Sequence, residues 1–104
     1  MVAWYTTETV AGKQISKHLG VATGSTIRAR NIGRDIVAGL RTLVGGEVPE
    51  YTEMMAHARN QAIERMLQKA DDMGADAVVA VRFSTAMIMQ GTAEVMAFGT
   101  AVKF

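Results

Sequence analysis

The stretch PEYTEMMAHARNQAIERMLQKADDMGADAVVAVRF, residues 49–83, decides the fold because it carries two periodicities in succession. Its first two thirds repeat apolar residues every three or four positions, which predicts one apolar face of a long helix. Pro49 suits the first turn of that helix, and Gly74 is a typical stop signal at its end. Residues 77–83 are apolar on both faces over their first half, which predicts a strand buried on both sides. The helix face comprises Tyr51, Met55, Ala58, Ala62, Met66, Ala70 and Met73.

Strands are also predicted on either side of this unit. Residues 1–7 are rich in Val, Trp, Tyr and Thr, which favour strands, and a second strand is predicted over 13–27. The strand that begins at residue 77 extends to Met89, and a turn at residues 90–91 leads into a return strand over 92–104. In the second strand, Gly20 and Gly24 are expected to mark bends or a bulge, and three residues of one parity are expected to face inward: Ile15, Leu19 and Val21.

A first, shorter helix is predicted over residues 31–44. Apolar residues recur there at helical spacing, and Gly45 and Gly46 end the pattern. The predicted order is therefore β-β-α-α-β-β. This order predicts an α+β domain in which a mostly antiparallel sheet packs on a long helix.

Composition narrows the class of protein. The chain has 104 residues, 49% of them apolar, which suits a single folded domain over residues 1–104. The net charge of +1 argues against a nucleic-acid-binding protein, which needs a basic excess. No apolar run approaches the ~20 residues of a membrane span, so no membrane association is expected. The first residues show no basic region or apolar core of a signal peptide, so we expect a cytoplasmic protein.

The charges are unevenly distributed along the chain. Residues 1–46 contain six basic and two acidic side chains, a net charge of +4, whereas residues 47–104 contain five basic and eight acidic ones, a net charge of −3. Opposite charges of this kind suit attraction within one subunit or between subunits, although a mixed solvated surface gives the same pattern. A domain of this size buries only ~60–65% of its surface, so apolar surface is left for a partner subunit.

Metal-binding and catalytic motifs are sparse. The chain has no cysteine, and its two histidines, His18 and His57, fall on different predicted elements. We therefore regard His18 as a weak metal candidate only. Three methionines near the last hairpin suit either Cu(I) or, as we favour, core packing: Met87, Met89 and Met96. No activated nucleophile or acid–base pair is recognisable, so we expect no enzymatic machinery.

One set of polar residues has two interpretations. In the first interpretation, these residues form a small pocket that binds a ligand or a metal. In the second, which we favour, they form a network of ion pairs and hydrogen bonds that fixes the helix to the sheet or one subunit to another. The candidate ligand-binding or interface residues are Arg34, Asp35, Glu47, Tyr51 and Arg59, with Arg82 and Glu94 as further members.

Residues 31–46, NIGRDIVAGLRTLVGG, resemble the signature of the YbjQ family, small bacterial proteins of unknown function that are often labelled heavy-metal-binding. Further matches are Gly12-Lys13, Leu19-Gly20-Val21, Ala58-Arg59 and the segment Gly74–Val79. The resemblance implies a dodecin-like subunit that assembles into a ring-shaped pentamer, and thus a homo-oligomer. The resemblance does not indicate a particular cofactor. An alternative reading is a ring that binds a heavy metal or a small ligand at its subunit interfaces.

Overall fold

The computed structural model describes residues 2–29, 49–89 and 92–104. The elements in these residues are β1 (Ala3–Trp4), β2 (Lys17–Ala29), α1 (Pro49–Asp72), β3 (Ala77–Met89) and β4 (Thr92–Lys103). The α+β class is confirmed. The predicted β-β-α-α-β-β order is not matched, because the described elements run β-β-α-β-β and the helix predicted over 31–44 lies outside the described residues.

The four strands form one sheet in the order β1-β3-β4-β2. β1 runs parallel to β3, and both other pairings are antiparallel, so the sheet is mostly antiparallel as predicted. β1 is shorter than the predicted strand over 1–7. The chain nevertheless stays beside β3 after Trp4, since the Tyr5 N–H donates to the Val78 carbonyl at 2.9 Å and the Ala80 N–H donates to the Thr7 carbonyl at 2.8 Å. A bulge in β3 prevents these bonds from forming a regular ladder.

The helix α1 covers one face of the sheet with the apolar side that the sequence predicted. Ala58, Ala62, Met66 and Ala70 are fully buried there. Small side chains let the helix approach β2 so closely that Gly24 lies directly against its backbone. Gly24 therefore marks a close contact and not a bend or bulge, since the pairing of β2 with β4 continues through it without a shift.

The inward parity predicted for β2 is wrong in its second half. The register of β2 against β4 shifts between His18 and Gly20, which confirms the bulge expected at Gly20. A one-residue bulge moves every later side chain to the opposite face. Val21 is consequently 66% exposed, whereas Ala22 and Thr26 are buried against the helix.

The first half of β3 is buried on both faces, as predicted. Val78 and Val81 belong to the core beneath α1, whereas Ala77 and Val79 pack with Val102 on the opposite face. That second cluster is covered by half-buried apolar residues of the segment before β2, namely Tyr5, Val10 and Ile15. From Arg82 to Met89 every residue of β3 is exposed, so the strand leaves the core at its midpoint. Within the described ranges, no helix combines the length and apolarity needed to cross a membrane.

Candidate functional site

The sheet face opposite α1 contains a cavity of about 610 Å³ beneath the segment that precedes β2. We call it the N-terminal cavity. Its volume falls within the ~300–1,000 Å³ of typical small-molecule pockets. Its lining combines apolar surface, which includes Ile15 and Val79, with one strained backbone position, Ala80, and six polar side chains: Glu8, Thr9, Lys13, Gln14, His18 and Thr100.

Two bulges shape the N-terminal cavity. One follows His18 in β2, and the other interrupts the pairing of β3 with β4 between Val79 and Arg82. Ala80, inside the second bulge, has a φ of 54°, a left-handed conformation that costs a non-glycine residue about 1–2 kcal/mol. Bulges of this kind re-aim side chains and often lie beside binding sites. Nothing in the unbroken apolar run of β3 signals this position.

The side chains of the N-terminal cavity carry both charges. Lys13 offers an ammonium group, Glu8 a carboxylate and His18 an imidazole, while Gln14 and Thr100 add neutral hydrogen-bonding groups. The Lys13 ammonium lies 5.8 Å from the centre of the Phe104 ring, a cation–π distance that anchors it at the cavity. This set suits a small polar molecule with both donor and acceptor groups. It contains no activated nucleophile.

Only some residues of the polar network predicted from the sequence lie within the described ranges. Arg34, Asp35 and Glu47 lie outside the described residues, and Tyr51 lies in the first turn of α1. Arg59 is exposed on α1.

The two further members of the predicted network serve different roles. Arg82 donates to the Thr6 carbonyl at 2.8 Å and so fastens the segment before β2 to β3. Glu94 pairs in register with Ala86, four residues further along β3 than Arg82. These two residues are therefore not brought together. Among the predicted site residues, His18 lines the N-terminal cavity.

A heavy-metal site does not fit the described residues. Among them no group of three or more histidine, aspartate or glutamate side chains could hold an ion, and the whole chain lacks cysteine. The packing predicted for the hairpin methionines is wrong for two of them, since Met87 is 79% and Met89 is 64% exposed. Met96 pairs in register with Ser84 and not with either of these, so no thioether cluster forms.

A second cavity, of about 400 Å³, lies between β2 and α1. We call it the arginine cavity. Arg28 and Arg65 line it together with Thr26 and Gln61. None of these four residues is predicted as a site residue from the sequence, because they come from two elements that only the folded protein brings together.

Comparison with known proteins places the chain in a family. A family model described as "Putative heavy-metal-binding" (YbjQ) matches residues 2–104. The chain belongs to the YbjQ family. Similar curated proteins are UPF0145 proteins: one from Methanosarcina acetivorans is 59% identical over 94% of this chain and 92% of its own length. Another, from Psychromonas ingrahamii, is 56% identical over 94% and 93%. The resemblance found in the sequence is thus confirmed, and the archaeal relative shows that such proteins are not confined to bacteria.

A solved structure shares the fold of this YbjQ protein. It is a Pediococcus pentosaceus protein of unknown function from the DUF74 family, with a TM-score of 0.70 and 17% sequence identity, covering 99% of this chain and 97% of its own. At that identity the likeness supports the fold alone.

Proposed function

We propose that this YbjQ protein works in the cytoplasm as a homo-oligomer, a dodecin-like ring of five copies, that binds a small ligand without catalytic machinery. The observation that carries the proposed assembly is the outer edge of β3. Beyond Val81, no described strand pairs with that edge. Long unpaired edges with apolar side chains invite pairing with another chain.

The end of β3 is also too apolar for a strand that faces only water. Phe83, Met87, Ile88 and Met89 are all exposed there. At the other edge of the sheet, β2 exposes Val21 and Ile27. Pairing of β3 in one copy with β2 in the next is a heterologous contact, which closes into a ring when the rotation allows. The opposite net charges of residues 1–46 and 47–104 would add electrostatic attraction between neighbours.

Light scattering coupled to size-exclusion chromatography tests the assembly. We expect the wild-type protein to show about five times the 11.2 kDa of one chain. Met87→Lys should reduce this mass toward that of one chain, because it places a charge in the proposed interface without disturbing the core. The matched control is Asn60→Lys, which adds the same charge on an exposed site of α1. A wild-type monomer at micromolar concentration, or an unchanged mass for Met87→Lys, would contradict the proposed interface.

The N-terminal cavity supports the ligand-binding part of the proposal. Thermal unfolding of the wild-type protein should shift upward with at least one member of a panel of nucleotides, amino acids and divalent metals, because a ligand that binds only the folded state stabilises it. His18→Ala should abolish that shift, whereas His57→Ala, an exposed histidine outside this cavity, should retain it.

The same panel separates the two ligand hypotheses. A metal-induced shift that survives His18→Ala, together with stoichiometric metal in protein purified without chelator, would favour the heavy-metal alternative. A panel without any effect on the wild-type midpoint would refute ligand binding in either form.

A further inference from the structure

The arginine cavity contains a buried donor that has no acceptor. The Nε of Arg28 is shielded from solvent and lacks a hydrogen-bond partner, the one such side-chain atom in the described residues. An unpaired buried donor destabilises a folded protein, and more so when the group is charged. A bound molecule that supplies the acceptor is one explanation for such a donor.

Neighbouring contacts fix the direction of three hydrogen bonds around this cavity. The Oε1 of Gln61 accepts from the Thr26 hydroxyl at 2.7 Å and from the Nη2 of Arg28 at 2.9 Å. Since arginine can only donate, the oxygen of the Gln61 amide must face Arg28, and its NH₂ group is left to donate elsewhere. One N–H of Arg65 donates to the Ser25 carbonyl at 2.6 Å. The other N–H groups of its guanidinium can still donate to a ligand.

The arginine cavity carries two positive charges, and none of the described residues in its lining is acidic. Neither Arg28 nor Arg65 forms an ion pair with any described residue. One acidic group, Glu53, lies in a separate, adjoining cavity of about 340 Å³, which it lines together with Arg28, Met54 and His57. Two guanidinium groups and an amide NH₂ around one space form a set of donors that matches the oxygens of an anion.

We propose that the arginine cavity binds an oxyanion, a phosphate or carboxylate group of a small molecule, between Arg28 and Arg65. The anion supplies the acceptor that the Nε of Arg28 lacks and neutralises the two guanidinium charges. Gln61 acts as a positioning residue, because its oxygen holds the guanidinium of Arg28 while its NH₂ group donates into the cavity. This site lies on the helix side of the sheet and is distinct from the N-terminal cavity.

Thermal unfolding and calorimetric titration with inorganic phosphate, and separately with citrate, test this site at constant ionic strength held with NaCl. Phosphate at 10 mM should raise the wild-type midpoint by about 2 °C or more. Arg65→Gln should weaken binding about tenfold or more, since it removes charge-assisted hydrogen bonds. Lys69→Gln is the control: it also removes one positive charge from an exposed site on the same helix and should bind as the wild type does.

Replacement of Arg65 should change anion binding without unfolding the protein. Its side chain is exposed and contributes one hydrogen bond to β2, so its replacement leaves the core intact. A shift with citrate but not phosphate would assign the site to carboxylates. An equal response in the wild type, Arg65→Gln and Lys69→Gln would identify general salt stabilisation and overturn the proposal. No response to either anion, combined with a lower assembly mass for Arg65→Gln, would assign the cavity to a carboxylate of a neighbouring copy and also overturn it.

Discussion

Gly24→Ala is expected to destabilise the protein by about 3 kcal/mol or more, at the upper end of overpacking substitutions. A Cβ atom at this position would overlap the Met66 nitrogen and the Ala62 carbonyl oxygen and would lie 2.7 Å from the carbonyl carbon of Arg65. All three are helix backbone atoms, which cannot rotate away as a side chain can. The helix must therefore move off β2, and the contacts of Ala62 and Met66 with the sheet are lost together.

Chemical denaturation at fixed protein concentration measures this effect. Gly74→Ala is the informative control, because its Cβ would meet no atom within 4 Å although its φ is +80°. That variant should lose only the cost of a left-handed alanine, about 1–2 kcal/mol. If Gly24→Ala were no more harmful than Gly74→Ala, the close approach of α1 to β2 would be refuted.

Met66→Ala is expected to cost about 2–5 kcal/mol of unfolding free energy. Met66 is among the largest side chains that are completely buried, and it stands at the centre of the core between α1 and the sheet. Truncation removes apolar contacts and leaves a cavity, which the rigid backbone beside Gly24 cannot collapse to fill.

Met54→Ala on the same helix provides the comparison for Met66→Ala. Met54 is half-buried and does not belong to the core cluster, so its truncation should cost well under half as much. Equal losses for the two variants, measured from denaturant midpoints at one protein concentration, would contradict the central place of Met66. The concentration must be fixed because assembly contributes to apparent stability.

The sequence predicts those parts of the fold that depend on local periodicity. Residue spacing within one segment predicts the buried face of α1, its start at Pro49 and its stop before Gly74. It also predicts the double burial of Val78 and Val79. Val21 was misplaced because a bulge changes the parity of a strand without changing its composition. The exposure of Met87 was missed for a related reason: an apolar strand predicts burial, yet no described element covers this end of β3.

The candidate sites depend on contacts between distant segments, and here the sequence shows much less. His18 was identified, but Glu8 and Lys13 were not, because only the fold brings their segment beside the bulges of β2 and β3. The hydrogen bonds from Gln61 to Arg28 and from Arg65 to Ser25 join residues 33 and 40 positions apart. No local spacing encodes such pairs, so only the folded structure reveals them.

The central position of β4 has a consequence for folding during synthesis on the ribosome. β4 lies between β3 and β2, although it follows all other described strands in the chain. While residues 92–103 are still being synthesised, β2 lacks its neighbour, and α1 has only an unpaired strand to pack against. The complete sheet therefore requires β4, and bringing β4 back to β2 across the long intervening segment adds an entropic cost to folding. Before β4 pairs with them, the apolar strands are exposed. They can then pair with the wrong chain unless this exposure is brief or a chaperone binds them.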